Sequence, residues 1–263
     1  MSDVDVIVLD IDGGAMLRDC IDSIKNQSVA PHDVIVFDNG SRTPLQLAGV
    51  RIIRSEKNVG FAAGVNAAYR QTTAYYVALV NNDVILDRDW LVTVKKALDR
   101  DVRVAAAQAV IRRDEQTVDG AGIDISDGTF RQVGHGLPLG SAFPNAWGVS
   151  ATAALYRRAA LGDRMFDERF FAYYEDVELC ARLHAGGWRT IVLPAAKATH
   201  RGSASASLLG GDAQRLRTRN RYWVARMHRG AGRIGSLLME DAKLLLRGGS
   251  SLRGMIEGMC SRL

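Results

Sequence analysis

Short apolar runs alternating with helix-spaced stretches constrain this chain more than any other feature. VDVIVLD (4–10), DVIVFD (33–38), VRIIRS (50–55), YYVALV (75–80) and VAAAQAVI (104–111) are short, and most are rich in Val and Ile. Runs of that kind suit strands buried on both faces. Between them, AMLRDCIDSIKNQ (15–27) spaces Leu17, Cys20, Ile21 and Ile24 for one face of a helix. Residues 60–71 read as a helix of small residues, and DWLVTVKKALD (89–99) as another. The alternation predicts an α/β fold: a central, mostly parallel sheet flanked by helices. Ligands of such sheets bind in the crevice beyond the carboxyl ends of the strands.

The strand ends are therefore the place to look for chemistry, and each of the first four ends polar: Asp10-Ile11-Asp12, Asp38-Asn39, Arg54-Ser55 and Asn81-Asn82-Asp83. Asn and Asp are also turn formers, because their side chains bond nearby backbone. Any one of these stretches alone reads as a turn. Three acidic ends on one expected edge point to a shared site.

The second half is less regular. Residues 120–145, rich in Gly and polar residues, suggest a loop or hairpin, and WGVSATAALYRR (147–158) suggests a strand. Glu175 to Ala185 has helical spacing ended by Gly186-Gly187, and TIVLP (190–194) reads as another strand. Glu175 and Asp176 open their helix, where the macrodipole favours negative charge. They could equally be a base placed to take a proton from a hydroxyl. His200 is either a hydrogen-bonded structural residue or a metal ligand. Arg201 and the glycine and serines of RGSASAS (201–207) look like a mobile, positively charged segment able to close over phosphates.

Charge divides the chain. Residues 201–263 hold 12 Lys and Arg against 4 Asp and Glu, whereas residues 1–200 hold 22 against 25. A basic tail suggests a polyanionic partner, or simply a solvated helical face. The three cysteines, Cys20, Cys180 and Cys260, form no CxxC pair, so neither a disulfide framework nor a zinc site is expected. MSDVDVIVLD lacks a basic stretch followed by a long apolar core, which argues against a signal peptide, and no apolar run approaches the roughly 20 residues of a membrane span. A reduced, cytoplasmic setting is expected.

FDNGS (37–41), EKNVGFAAGVNAA (56–68), VNNDV (80–84), FDERFFAYYEDVELCARLHAGGWR (166–189) and ATHRGS (198–203) occur in an order and spacing that resembles the family 2 inverting glycosyltransferases of GT-A fold. The resemblance runs through about 200 residues and is closest to members that add rhamnose or related sugars to bacterial surface glycans. It implies transfer from a nucleoside-diphosphate sugar, such as dTDP-rhamnose or a UDP-hexose, to a hydroxyl of a glycan or lipid-linked acceptor. It also implies a divalent cation, Mn²⁺ or Mg²⁺. Donor contacts would come from Asp38, Asn58, Gly60, Phe61, Asn66, Asn81 and Asn82, with Asp10 and Asp12 at the end of the first strand. Asp83 and His200 would bind the metal. Asp176 would be the general base with Glu175 beside it, while Trp147 and Tyr174 would face the acceptor. RLRTRNRYW (215–223) matches loosely as a contact for phosphate or acceptor.

One departure stands out. The family usually ends its first strand with a hydroxyl residue, an aromatic and an asparagine, where this chain has Asp10-Ile11-Asp12. Two carboxylates near a diphosphate repel it unless they point away or bind a cation. The same residues support two rivals: a transferase-like scaffold without donor binding, and a haloacid dehalogenase-type phosphohydrolase, which IVLDIDGG (7–14) resembles, using Asp10 and Asp12. The expected division is a GT-A domain over 1–210 and a basic helical extension over 211–263. That extension would rest on an anionic membrane at the inner face of the cell membrane, or form a cap or a homodimer contact. No nucleic-acid partner is expected.

Overall fold

The computed structural model describes residues 2–202, 211–228, 233–247 and 249–261. The expected phosphate-closing segment therefore falls largely, from Ser203 onward, outside the described residues.

Eleven strands, eight α-helices and one 3-10 helix (Glu168–Phe170) are described. The first half runs β1 (Val4–Asp10), α1 (Ala15–Lys25), β2 (Asp33–Asn39), β3 (Arg51–Ser55), α2 (Phe61–Tyr69), β4 (Tyr76–Val80), β5 (Val84–Leu86), α3 (Trp90–Arg100) and β6 (Val104–Arg112). There follow β7 (Val118–Gly120), β8 (Ile123–Asp124), β9 (Arg131–Gln132), β10 (Ala153–Arg157), α4 (Arg158–Leu161), α5 (Glu175–Ala185) and β11 (Arg189–His200). The last helices are α6 (Gly211–Met227), α7 (Ile234–Leu245) and α8 (Leu252–Cys260).

The main sheet has the order β3-β2-β1-β4-β10-β6-β11-β5, with β7 on the side of β6. Alternate residues of β1 feed two different cores. Val4, Val6 and Val8 join α1 and α3 residues such as Leu17, Ile24, Trp90 and Val94 on one face. Ile7 joins α2 and α5 residues such as Val65, Tyr69 and Leu183 on the other. This two-sided burial is why the strand reads as continuously apolar rather than alternating.

β3, β2, β1 and β4 are mutually parallel, as expected. The rest of the sheet is mixed. β10 runs antiparallel to both β4 and β6, and β11 is parallel to β6 but antiparallel to β5. Two further expectations need correction. The strand expected over 147–158 is confined to Ala153–Arg157, and the residues before it form a looped segment beside the sheet edge. The strand expected to stop at Pro194 instead continues to His200. A register shift between Leu193 and Lys197 absorbs the proline, which cannot donate to the ladder.

The described residues after 210 form three helices. Gly254 and Gly258, one turn apart on α8, lie so close to α6 that an added Cβ would sit 2.6 Å from the Arg215 carbonyl oxygen and 2.8 Å from that of Arg219. α7 is tied on by buried Asp241, which accepts from the Tyr222 hydroxyl at 2.6 Å and from Ser250 at 2.6 Å.

Candidate functional site

Parallel pairing sets the four N-terminal strand ends at one edge: Asp10 pairs in register with Asp38, and Asp38 with Arg54. Two adjoining cavities open there. One, of about 230 Å³, is lined by Asp10, Asn39, Asn58, Gly60, Phe61, Asn81 and Asn82 among others. The second, of about 440 Å³, is lined by Gln108, Asp119, Tyr174, His200 and Arg217 among others. They share a wall made of Ser150, Thr152, Tyr173, Glu175 and Asp176. A molecule in each cavity would thus meet the other at the two carboxylates.

The first strand's two acids separate. Asp10 is buried in the first cavity wall, where it accepts from Asn82 Nδ2 at 2.5 Å and from the Gly13 amide at 2.6 Å. Burial raises its pKa, outweighing those hydrogen bonds. Asp12 sits at φ 68° and lines neither cavity. It accepts from the Arg42 amide at 2.9 Å and pairs with the Arg42 guanidinium at 3.1 Å. The backbone hydrogen bond from Arg42 leads the causes that hold its pKa low. So only Asp10 of the pair lines a cavity, and a phosphohydrolase geometry with both acids on one phosphate is not formed.

Two other expected donor contacts are internal braces. Asp38 is fully buried and accepts from Arg54 Nη1 at 2.5 Å, Ser41 N at 2.9 Å and Leu45 N at 3.2 Å. Burial opposes its charge, but these hydrogen bonds together keep its pKa low. Asn66, also fully buried, accepts from the Met165 and Phe166 amides and donates to the Phe166 carbonyl at 2.8 Å. Neither lines the cavity. Its wall instead includes Asn39, whose side chain holds the next loop by accepting from Val59 N at 2.9 Å and donating to Asn58 Oδ1 at 3.1 Å. Asn58, Gly60, Phe61, Asn81 and Asn82 do face it.

Asp83 and His200 meet because β11 pairs antiparallel with β5, setting His200 opposite Val84. His200 Nε2 lies 3.2 Å from Asp83 Oδ2, and its Nδ1 lies 2.7 Å from Asp119 Oδ2. Burial pushes the imidazole pKa down, but hydrogen bonds and charge from Asp119 and Asp83 outweigh it and carry it up to about 9. Asp119 was not flagged in the sequence, where VDG (118–120) is an unremarkable turn-like triplet; the β6–β7 pairing brings it in. Asp83 is buried, and its Oδ1 has no hydrogen-bond partner among the described residues. An orphaned carboxylate oxygen beside an imidazole whose other nitrogen meets a carboxylate fits a divalent cation that takes the place of the proton on Nε2. No cluster of three or more ligand side chains is present among the described residues. A cation here would therefore complete its shell with substrate oxygens or water, as Mg²⁺ commonly does.

Glu175 and Asp176 open α5. Asp176 Oδ2 accepts from the Ala151 amide at 3.2 Å and Oδ1 from Val177 N at 2.8 Å. Glu175 Oε2 is buried with no partner among the described residues. Burial, and then repulsion from Asp176, pushes the Glu175 carboxyl up to about 8, and burial raises Asp176 as well. The segment before them is strained: Phe171, Tyr173 and Tyr174 take φ values of 63°, 71° and 68°. Such conformations cost bulky residues on the order of 1–3 kcal/mol each and persist only where the surroundings over-determine them. Here α2 and α6 do so. The Phe171 carbonyl accepts from Ala62 N at 3.1 Å. The Asn220 side chain donates to the carbonyls of Phe170, Ala172 and Tyr173. Gly60 permits the close approach of α2, since a Cβ there would lie 2.7 Å from the Phe171 oxygen.

The expected acceptor residues divide. Tyr174 lines the second cavity and packs edge-on against Phe130, with centroids 5.5 Å apart. Trp147 lines neither cavity; its ring packs edge-on against His184 at 4.9 Å, and its carbonyl accepts from Thr190. From the same stretch, Ser150 and Ala151 reach the cleft instead. In the Arg-rich segment, Arg217 reaches the second cavity with its guanidinium 4.4 Å from the centre of the Tyr173 ring.

Comparison with known proteins adds three kinds of likeness. The glycosyl transferase family 2 model matches residues 6–164. An N-acetylglucosaminyl-diphospho-decaprenol L-rhamnosyltransferase of Mycobacterium tuberculosis is 27% identical over 236 residues, covering 76% of each chain. An uncharacterized Sinorhizobium fredii protein is 28% identical over 226 residues, but the chain, matched over 77% of its own length, spans only 25% of that relative. Among solved structures, a mannosyltransferase from Pyrobaculum calidifontis in complex with GDP-Man and Mn²⁺ superposes with a TM-score of 0.60 at 17% identity, over 95% of this chain and 76% of that one.

Proposed function

Because the chain belongs to glycosyl transferase family 2, with the GT-A fold, we propose that it transfers a sugar, with inversion, from a nucleoside-diphosphate donor to a hydroxyl of a lipid-linked or glycan acceptor. The observation that carries this is the wall shared by two cavities, with Glu175 and Asp176 at the junction. The donor takes the cavity of Asn58, Gly60 and Asn81; the acceptor takes that of Tyr174 and Arg217. The rhamnosyltransferase among the relatives favours a deoxyhexose donor such as dTDP-rhamnose.

In this reading Asp176 removes the acceptor hydroxyl proton as that oxygen attacks the anomeric carbon. The bond to the diphosphate breaks on the opposite face, so one displacement inverts the centre without a glycosyl-enzyme. Burial raises the basicity of Asp176, and Glu175, buried beside it and favoured in its neutral form, adds no charge to the site. Asp83 and His200 would hold Mn²⁺ or Mg²⁺, which when bound offsets the negative charge gathering on the leaving diphosphate. Asp10 answers the departure at the first strand, because burial shifts it toward its neutral form and Asn82 bonds it, weakening its repulsion of a diphosphate.

A panel of nucleotide sugars with Mn²⁺ or Mg²⁺ tests the reading through release of nucleoside diphosphate in the presence of acceptor. Release lost in Asp83→Ala supports it. Release of inorganic phosphate from sugar phosphates, lost in Asp10→Asn, would replace it with a phosphohydrolase.

The acceptor's lipid would bring this chain to a membrane surface. Of the ten large apolar side chains exposed among the described residues, seven lie on or beside α7 and α8: Ile234, Leu238, Met239, Leu245, Leu246, Leu252 and Ile256. Arg233, Lys243, Arg247 and Arg253 lie exposed among them. Apolar residues interleaved with cations suit the interface of an anionic bilayer. No helix among the described residues is long and apolar enough to cross a membrane. The protein is expected to pellet with vesicles containing phosphatidylglycerol, less so as salt rises, and Leu246→Glu with Leu252→Glu should abolish pelleting. Equal pelleting with neutral vesicles would refute this, and a salt-independent dimer in solution would assign the face to a second copy.

A further inference from the structure

We propose that Asn220, on α6, is a positioning residue that sets the catalytic pair by clamping the strained segment in front of it; this rests on the transferase reading above. Asn220 is fully buried. Its Nδ2 donates to the carbonyls of Phe170 at 3.0 Å, Ala172 at 2.8 Å and Tyr173 at 2.7 Å. The amide orientation is fixed from its other side, since Asn220 Oδ1 accepts from Arg219 Nε at 2.9 Å. The remaining carbonyl of the segment, that of Phe171, is held by Ala62 N of α2. All four carbonyls from Phe170 to Tyr173 are thus bonded from two helices, one of which begins at the donor cavity.

The consequence follows from geometry. Glu175 and Asp176 start α5 directly after a stretch in which Phe171, Tyr173 and Tyr174 take positive φ, with the Ala172 and Tyr173 carbonyls turned toward α6 and that of Phe171 toward α2. Without the side-chain amide, the Ala172 and Tyr173 carbonyls lose their donor, while that of Phe170 keeps Ala172 N and Arg219 Nη2, and the left-handed residues can relax toward ordinary conformations. The start of α5 then moves, carrying Asp176 out of line with the junction of the cavities. A displacement of about 1 Å at a reacting group can cost roughly 100-fold in rate. α6 and the catalytic pair both lie beyond residues 6–164, which match the family model, so this contact links two later parts of the chain.

Asn220→Leu keeps the size and removes every donor; Asn220→Ser keeps one. We expect kcat to fall about 100-fold in the first and about tenfold in the second, with the affinity for the nucleoside diphosphate measured by calorimetry unchanged within twofold. The acid limb of the kcat profile should move to lower pH, as water reaching the pair relieves the burial that raises it. Hydrogen exchange of the amides of residues 170–176 should quicken in both variants, with the sheet unaffected. A variant that binds nucleotide normally and keeps wild-type kcat and acid limb would overturn the proposal. So would unchanged exchange across the segment. If Asn220→Leu does not fold, the serine variant decides. If the wild-type protein transfers no sugar, the transferase reading fails, and the exchange comparison alone decides whether Asn220 holds the segment.

Discussion

Asp176→Asn is expected to lower kcat by roughly 10²- to 10⁴-fold, the usual contribution of a positioned general base, while donor affinity stays near the wild-type value. The amide keeps the contact from Ala151 N but cannot take a proton. The measurement is steady-state kinetics with nucleotide binding as the control. A fall of less than tenfold would remove Asp176 from the chemistry and turn attention to Glu175, whose Oε2 is the unpartnered oxygen of the pair.

The same pair yields a stability test with a definite sign. Glu175 has its pKa pushed from 4.5 to about 8 by burial and then by Asp176. Because its folded pKa lies above the unfolded one, its contribution to stability is fully present below pH 4.5 and is lost as pH rises toward 8. Glu175→Gln removes that ionisation. It should be near neutral at pH 4.5 and stabilising at pH 8, measured by urea unfolding at the two pH values. Equal effects at both would show that Glu175 is not held in an environment hostile to its charge. Stability given up at a functional group in this way is common where a base must be tuned toward neutral pH.

The second large effect is expected at the cation site. Asp83→Ala should reduce turnover more than 100-fold and, more tellingly, abolish the gain in nucleoside-diphosphate affinity that Mn²⁺ is expected to give the wild-type protein. Asp119→Asn should weaken Mn²⁺ by roughly 10- to 100-fold, the usual effect of losing the carboxylate that orients a ligating histidine. Calorimetry of nucleotide binding with and without Mn²⁺ reads both. Retention of the full Mn²⁺ effect in Asp83→Ala would show that the cation, if used, sits elsewhere.

Site legibility followed sequence locality. Asn81 and Asn82 are legible because they follow a strand whose direction is fixed by alternation with helices, whereas Asn58, Gly60 and Phe61 are marked only by the family resemblance of their stretch; all five line the first cavity. Asp38 ends its strand in the same way, yet it turns inward to bond backbone, as Asn66 does from within α2. Short polar side chains at strand ends serve ligands and loops equally well, and only the partner's position decides between them. Trp147 packs behind the cleft wall for a related reason, since an aromatic near a cleft serves a core as readily as a ligand.

The sequence by itself determined the α/β class, the four parallel N-terminal strands and the carboxyl edge where the site lies. It did so because burial on both sheet faces and helical periodicity are local patterns, written within stretches of about ten residues. Tertiary structure alone decided which carboxylates share a space. Asp119 reaches His200 across 81 residues, Asp12 leaves Asp10 for Arg42, and Asn220 comes from the last part of the chain to hold the residues before Glu175. These are long-range pairings of single polar groups. Their energy comes from hydrogen bonds formed only after the cores have set the elements in place, so no local pattern records them.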